Sequence, residues 1–123
     1  MTRTAAASYE ELSAIGSRLD ACAVECDGFA RLVAYELTRR QIEHETRVGR
    51  VAWLGGELPL HFWTIAGGLV LDYRLRLWFG SGAPHGVFPA SVYHGLLAYA
   101  GERVELNVSR FVFELLGGGL NGS

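Results

Sequence analysis

The sequence predicts an α+β fold, a small antiparallel sheet packed against helices. Three observations carry this. Apolar residues recur at helical spacing over residues 8–19 and 26–40; a run at 42–54 alternates; and two β-branched and aromatic runs flank Gly67-Gly68, the mark of a hairpin. At 123 residues, half of them hydrophobic and 20% charged, the chain suits one folded domain with a real core. That domain is expected over 8–116, between a disordered start at 1–7 and a flexible Gly-rich tail at 117–123.

Ser8-Tyr9-Glu10-Glu11 is a capping-box pattern, and Leu12, Ile15 and Leu19 follow on one face of a first helix. A second helix is expected from Cys26 to Arg40. Phe29, Leu32, Val33 and Leu37 form its apolar stripe, with Arg31, Glu36, Arg39 and Arg40 in solvent. The first strand, Ile42 to Leu54, places His44, Thr46 and Val48 on one face and has a bulge at Gly49. Gly55-Gly56 turns the chain, and Pro59 precedes the strand that carries His61. Tyr73 to Gly80 fits a third strand or a short helix equally. Ser81 to Ser91, with Gly82, Pro84, Gly86 and Pro89, reads as a loop that holds His85 on a mobile segment. Tyr93 to Tyr99 fits a helical turn or a strand, and Arg103 to Val108 alternates as a last strand. Ser109 then caps a closing helix with Phe111, Val112, Leu115 and Leu116 inward.

The hairpin brings two polar residues together. With Ala66-Gly67 as the turn, His61 lies opposite Asp72; with Gly67-Gly68 as the turn, Asp72 lies opposite Trp63, diagonal to His61 and on the same face. A His beside a carboxylate is held in one tautomer with its conjugate acid stabilised, as a general base requires. A nucleophile is available upstream, where Cys26 opens a helix whose N–H groups and dipole favour the thiolate.

Cys26-Asp27-Gly28-Phe29-Ala30, Arg47-Val48-Gly49-Arg50-Val51, His61-Phe62-Trp63 and Leu71-Asp72-Tyr73 follow one another in an order that resembles the core of the transglutaminase-like branch of papain-fold cysteine enzymes. The resemblance spans roughly Cys22 to Arg74. It implies a papain-like arrangement with the nucleophile at a helix N-terminus and a Cys26, His61, Asp72 triad acting on an amide or ester. The implied activity is that of an amidase, peptidase, deamidase or transglutaminase. Trp63, Trp78 and His85 are the candidate substrate-binding residues, and Arg74 or Arg76 could grip an acidic group. The chain departs from the broader papain pattern in having no Gln in the few residues before Cys26. The rival reading keeps the scaffold without catalysis, as an interaction protein such as a phage or mobile-element inhibitor that blocks a host protein.

A net charge of −2 gives no electrostatic case for nucleic acid or an anionic membrane as partner. The expected partner is a protein or a peptide-like amide; no stripe marks an oligomer interface. All the basic residues are Arg. Cys22 and Cys26, four apart, are expected as free thiols in the cytoplasm, and the first eight residues lack the apolar run of a secretory leader. The His and Cys spacings match no zinc pattern, and no cofactor motif is present, so neither metal nor cofactor is expected.

Overall fold

Ser8 starts the first helix as the capping box requires. Its Oγ accepts from the N–H of Glu11 at 3.1 Å, and α1 runs Tyr9–Asp20. The computed structural model describes residues 8–106 and 109–117, so the ends expected to be flexible, 1–7 and 118–123, lie outside the described residues. Leu12, Ile15 and Leu19 of α1 pack on Phe29, Leu32, Val33 and Leu37 of α2 (Cys26–Arg39), all buried. Each such side chain contributes about 1.5–3 kcal/mol by leaving water.

One residue of α2 departs from expectation. Glu36 is buried rather than solvated, because it stands four residues after Leu32 and three after Val33, on the stripe itself. Arg18, Arg39 and Arg40 close on its carboxylate at 3.3, 2.6 and 2.8 Å. Burial pushes its pKa up, and the hydrogen bonds and charges of Arg39 and Arg40 outweigh that and hold it below the ordinary value.

Strands β1 (Glu45–Trp53), β2 (Gly56–Ala66) and β3 (Leu69–Asp72) form an antiparallel meander. The register breaks one step beyond the expected place: Gly49 faces His61 but Val51 faces Leu58. The extra residue therefore sits on β2, at Pro59-Leu60, where proline has no N–H to give the ladder. Gly49 serves another purpose. It lies opposite Gly101, and a Cβ on either would strike the facing strand's backbone; at Gly101 it would also strike the indole of Trp63. The glycine pair lets the two strands approach closely, and Gly101 makes room for that indole.

Of the two readings of 73–80, the short helix is realised, as α3 (Arg76–Phe79). The expected loop at 81–91 is instead partly ordered into the sheet. Gly86–Phe88 is β4, pairing with Val70–Asp72, and Ala90–Tyr93 is a 3₁₀ turn. Pro84 and Pro89 bracket this edge strand, and Val87 and Phe88 bury on alternate faces, which holds it in place. The last strand begins earlier than alternation suggests. β5 (Leu97–Val104) pairs with Thr46 to Trp53 of β1, and the small Ala98, Ala100 and Gly101 mask the apolar rhythm; residues 107 and 108 of the expected strand lie outside the described residues. The sheet order is β4-β3-β2-β1-β5.

Helix α4 (Arg110–Gly117) is capped by Ser109, whose Oγ accepts from the N–H of Val112 at 3.2 Å. It is turned from the expected orientation: Phe113 is inward, stacked 4.3 Å from Tyr35, while Phe111 and Leu115 are exposed and Val112 and Leu116 half-buried. Two apolar clusters result, one on each face of the sheet. Leu71 and Val87 join the helices α1 and α2 on one face, while Val70 and Phe88 join Val51, Trp63 and Leu75 on the other.

Candidate active site

The hairpin register decides the geometry. Gly67 and Gly68 both adopt positive φ, at 58° and 76°, and form the two-residue turn, so Ala66 faces Leu69 and Thr64 faces Leu71. Asp72 thereby comes level with Trp63 and diagonal to His61, the second of the two registers. Nε2 of His61 donates to Oδ2 of Asp72 at 2.8 Å, with the two residues 0% and 2% exposed.

Asp72 has two further donors. The phenol of Tyr99, on β5, donates to Oδ2 at 2.8 Å, and the N–H of Arg74 donates to Oδ1 at 3.1 Å. Burial, then the charge of Asp72, pushes the Tyr99 phenol far above its ordinary pKa, so it stays a donor. For His61, burial is the largest influence and pushes the pKa down. The hydrogen bond to Asp72 and the presence of Cys26 outweigh it and raise the imidazole to about 9.

Cys26 is the other partner. It is the first residue of α2 and is half-buried. With Nε2 taken by Asp72, the ring atom left to the thiol is Nδ1, which is buried and makes no hydrogen bond among the described residues. The thiol is near enough to raise the pKa of the imidazole but makes no hydrogen bond of regular geometry with it. Glu25 precedes it as N-cap, is exposed and makes no side-chain capping bond. The Glu25 side chain therefore leaves the first N–H groups of α2 uncapped.

Cys22 is placed differently. It is buried in the helix-side cluster with its Sγ 3.7 Å from the carbonyl of Gly117, and burial raises its pKa. It is a packing residue, and both cysteines are free thiols.

β3 ends at Asp72, two residues short of the level of His61, and the next residues anchor the approach to the thiol. Arg74 is buried and spends its guanidinium internally: Nε donates to the carbonyl of Val24 at 2.6 Å, Nη2 to that of Cys22 at 2.9 Å, and Nη1 to that of Tyr73 at 2.8 Å and to Asp20. It also lies 4.6 Å over the ring of Phe29. Arg74 is therefore not the residue that grips a substrate; it fixes the segment leading into Cys26. His85 is likewise anchored rather than mobile, with Nε2 3.1 Å from the other oxygen of Asp20.

Of the three expected substrate-binding residues, the structure puts two on one groove. Trp78, 58% exposed, and His85 line a cavity of about 770 Å³ together with Val24 and Glu25, beside Cys26 in the chain. Trp63 is elsewhere: it is 2% exposed, lies 6.4 Å from His61 and 4.6 Å from Tyr99 between ring centroids, and supports them from within the core. A second cavity, of about 460 Å³, lies at the far end of α2 around Tyr35, His44 and Arg103, away from these residues. Among the described residues no three His, Cys, Asp or Glu side chains are grouped to hold a metal, and no helix is long and apolar enough to cross a membrane.

Tyr99, Asp20 and the internal role of Arg74 are absent from the sequence reading. Tyr99 meets Asp72 across 27 positions and Arg74 meets Asp20 across 54, and no local spacing signals either. Tyr99→Phe is expected to lower unfolding free energy by about 1.5–3 kcal/mol, the worth of a buried bond to a charged group. Denaturant unfolding monitored by circular dichroism checks this; a change below about 0.5 kcal/mol would mean that the phenol contributes nothing to holding Asp72.

Compared with models of protein families, with curated proteins and with solved structures, the chain matches none.

Proposed function

We propose that the chain is a cysteine-dependent acyl-transfer enzyme of the transglutaminase-like, papain-fold type, acting on an amide or ester. The observation that carries the reading is the buried imidazole of His61, bonded to Asp72 through Nε2 with Nδ1 left unbonded, and with Cys26 near enough to raise its pKa. In this reading Cys26 starts as a thiolate paired with the His61 imidazolium, whose second proton sits on Nδ1. The thiolate attacks the carbonyl carbon, the carbonyl π pair moves to oxygen, and the helix N–H groups meet the oxyanion. Collapse of the intermediate expels the amine or alkoxide, which takes the proton from Nδ1 and leaves a thioester on Cys26. Water or a second amine then attacks that thioester while Nδ1 of His61 accepts its proton, and the thiolate departs to restore the ion pair. Asp72, held by Tyr99 and the Arg74 N–H, keeps Nε2 protonated throughout. Two free thiols suit a reducing compartment such as the cytoplasm.

The test is intact-mass analysis of the protein incubated with blocked peptide thioesters. A +acyl adduct that maps to Cys26, is absent from Cys26→Ala and turns over on standing supports the reading. A protein that forms no adduct, and that keeps its biological effect as Cys26→Ala, would instead act as a binding protein on the same scaffold.

A further inference from the structure

The sequence leaves two arginines as grips for an acidic group, and the structure separates them. Arg74 is spent on Asp20 and on backbone carbonyls. Arg76 is exposed on the groove, is anchored only through Nε, which donates to the carbonyl of Ala83 at 2.7 Å, and makes no ion pair among the described residues. Its two terminal amino groups are thus held at one place with nothing to bind, which is the arrangement for a carboxylate. Beside it Leu77 and Trp78 are both 58% exposed on the same groove, an apolar shelf at the surface that the core does not use.

Asp20, the other acid facing the groove from α1, is neutralised by Arg74 and bonded by His85. Glu25, which adjoins Cys26 in sequence, is exposed and unpaired among the described residues. The groove therefore carries one available cation, on α3, and one available anion, next to the thiol. An acidic side chain is attracted at α3 and repelled beside Cys26.

We infer that this groove is the acyl-donor site and selects peptide segments with an aromatic or large apolar side chain on Leu77 and Trp78 and a carboxylate on Arg76. This inference rests on the acyl-transfer reading for its term "acyl donor", and the peptide selectivity can be measured without catalysis.

Calorimetric titration of Cys26→Ala with blocked Glu-Phe-Gly, Gln-Phe-Gly, Lys-Phe-Gly and Glu-Ala-Gly amides provides that measurement. Glu-Phe-Gly is expected to bind about fivefold tighter than Gln-Phe-Gly, as one partly exposed ion pair allows, and about tenfold tighter than Glu-Ala-Gly. Lys-Phe-Gly is expected to bind weakest. Arg76→Gln in the same background should erase the Glu preference and leave the Phe preference, while Trp78→Ala should do the reverse. Equal binding of all four peptides, binding of none, or a preference for Lys overturns the selectivity; because the ligand is varied as well as the protein, a folding defect in either variant cannot produce that result. The corresponding thioesters, offered to the protein with Cys26 intact, report the chemistry separately. Cys26 acylated at one rate by all four would leave the acyl-transfer reading standing and overturn the groove's selectivity. Selective binding with no acylation would leave the groove standing as a peptide site and overturn its role as an acyl-donor site.

Discussion

Asp72→Asn is expected to lower unfolding free energy by about 3–5 kcal/mol and to cut any acyl transfer at neutral pH by about 10³- to 10⁴-fold. The reason is a donor count. Oδ2 accepts from Nε2 of His61 and from the Tyr99 phenol, and Oδ1 accepts from the Arg74 N–H. An asparagine has one oxygen for these three donors. With its oxygen towards His61 and Tyr99, its NH₂ confronts the Arg74 N–H; reversed, its NH₂ confronts both side chains. Either orientation leaves buried donors facing donors or turns the imidazole to the wrong tautomer, and both remove the charge that keeps His61 protonated. Urea unfolding and adduct-formation rates, measured on the same preparation, check the two parts. A loss of stability below about 1 kcal/mol would mean that the three contacts do not act on Asp72 as described.

Stability is expected to fall as pH rises from about 6.5 through 9. The folded-state pKa of His61, about 9, lies above the 6.5 of an unfolded histidine. A raised pKa means that the native state binds the proton more tightly, so the contribution is fully present below pH 6.5 and is lost as pH passes through the folded value. At about 1.4 kcal/mol per pH unit, the difference amounts to about 3 kcal/mol. Unfolding measured at pH 6 and at pH 9.5, for the chain and for His61→Gln, isolates it. The chain should lose stability across this range and the variant should lose much less. Equal losses would assign the pH dependence to other groups.

Much of the fold was legible because local rules governed it. Ser8 with Glu11 fixed the start of α1, the Phe29 to Leu37 stripe fixed α2, and Gly67-Gly68 fixed a hairpin whose two even registers both brought His61 and Asp72 to one face. Where position overrode residue type, reading failed. Glu36 was assigned to solvent by its charge although its helical position is in the core, and Phe111 and Leu115 were assigned to the core although α4 turns Phe113 there instead. The β4 segment was masked by its glycines and prolines, which suggest a loop but here only bracket a short edge strand. The pairing of His61 with Asp72 was visible because both lie in one hairpin. The other supports of the site come from β5 and from the end of α1, and such distant partners are set by the sheet order rather than by any spacing. Trp63 shows the same limit in reverse: it is expected as a substrate contact, whereas it shares the face of His61 and is buried in the core there, 6.4 Å from the imidazole between ring centroids.

The central claim is that His61 acts on Cys26, and the most direct measurement is the rate of Cys26 alkylation by iodoacetamide at pH 7, followed by intact mass and peptide mapping. Cys22, buried against Gly117, should remain unlabelled in the folded protein. If the imidazolium sustains the thiolate, His61→Ala should slow Cys26 labelling at least about tenfold, the equivalent of about 1.4 kcal/mol of charge attraction, and Asp72→Asn should slow it in the same direction. Labelling of Cys26 at one rate in all three proteins would contradict the account, since the thiol would then be indifferent to the residue placed beside it.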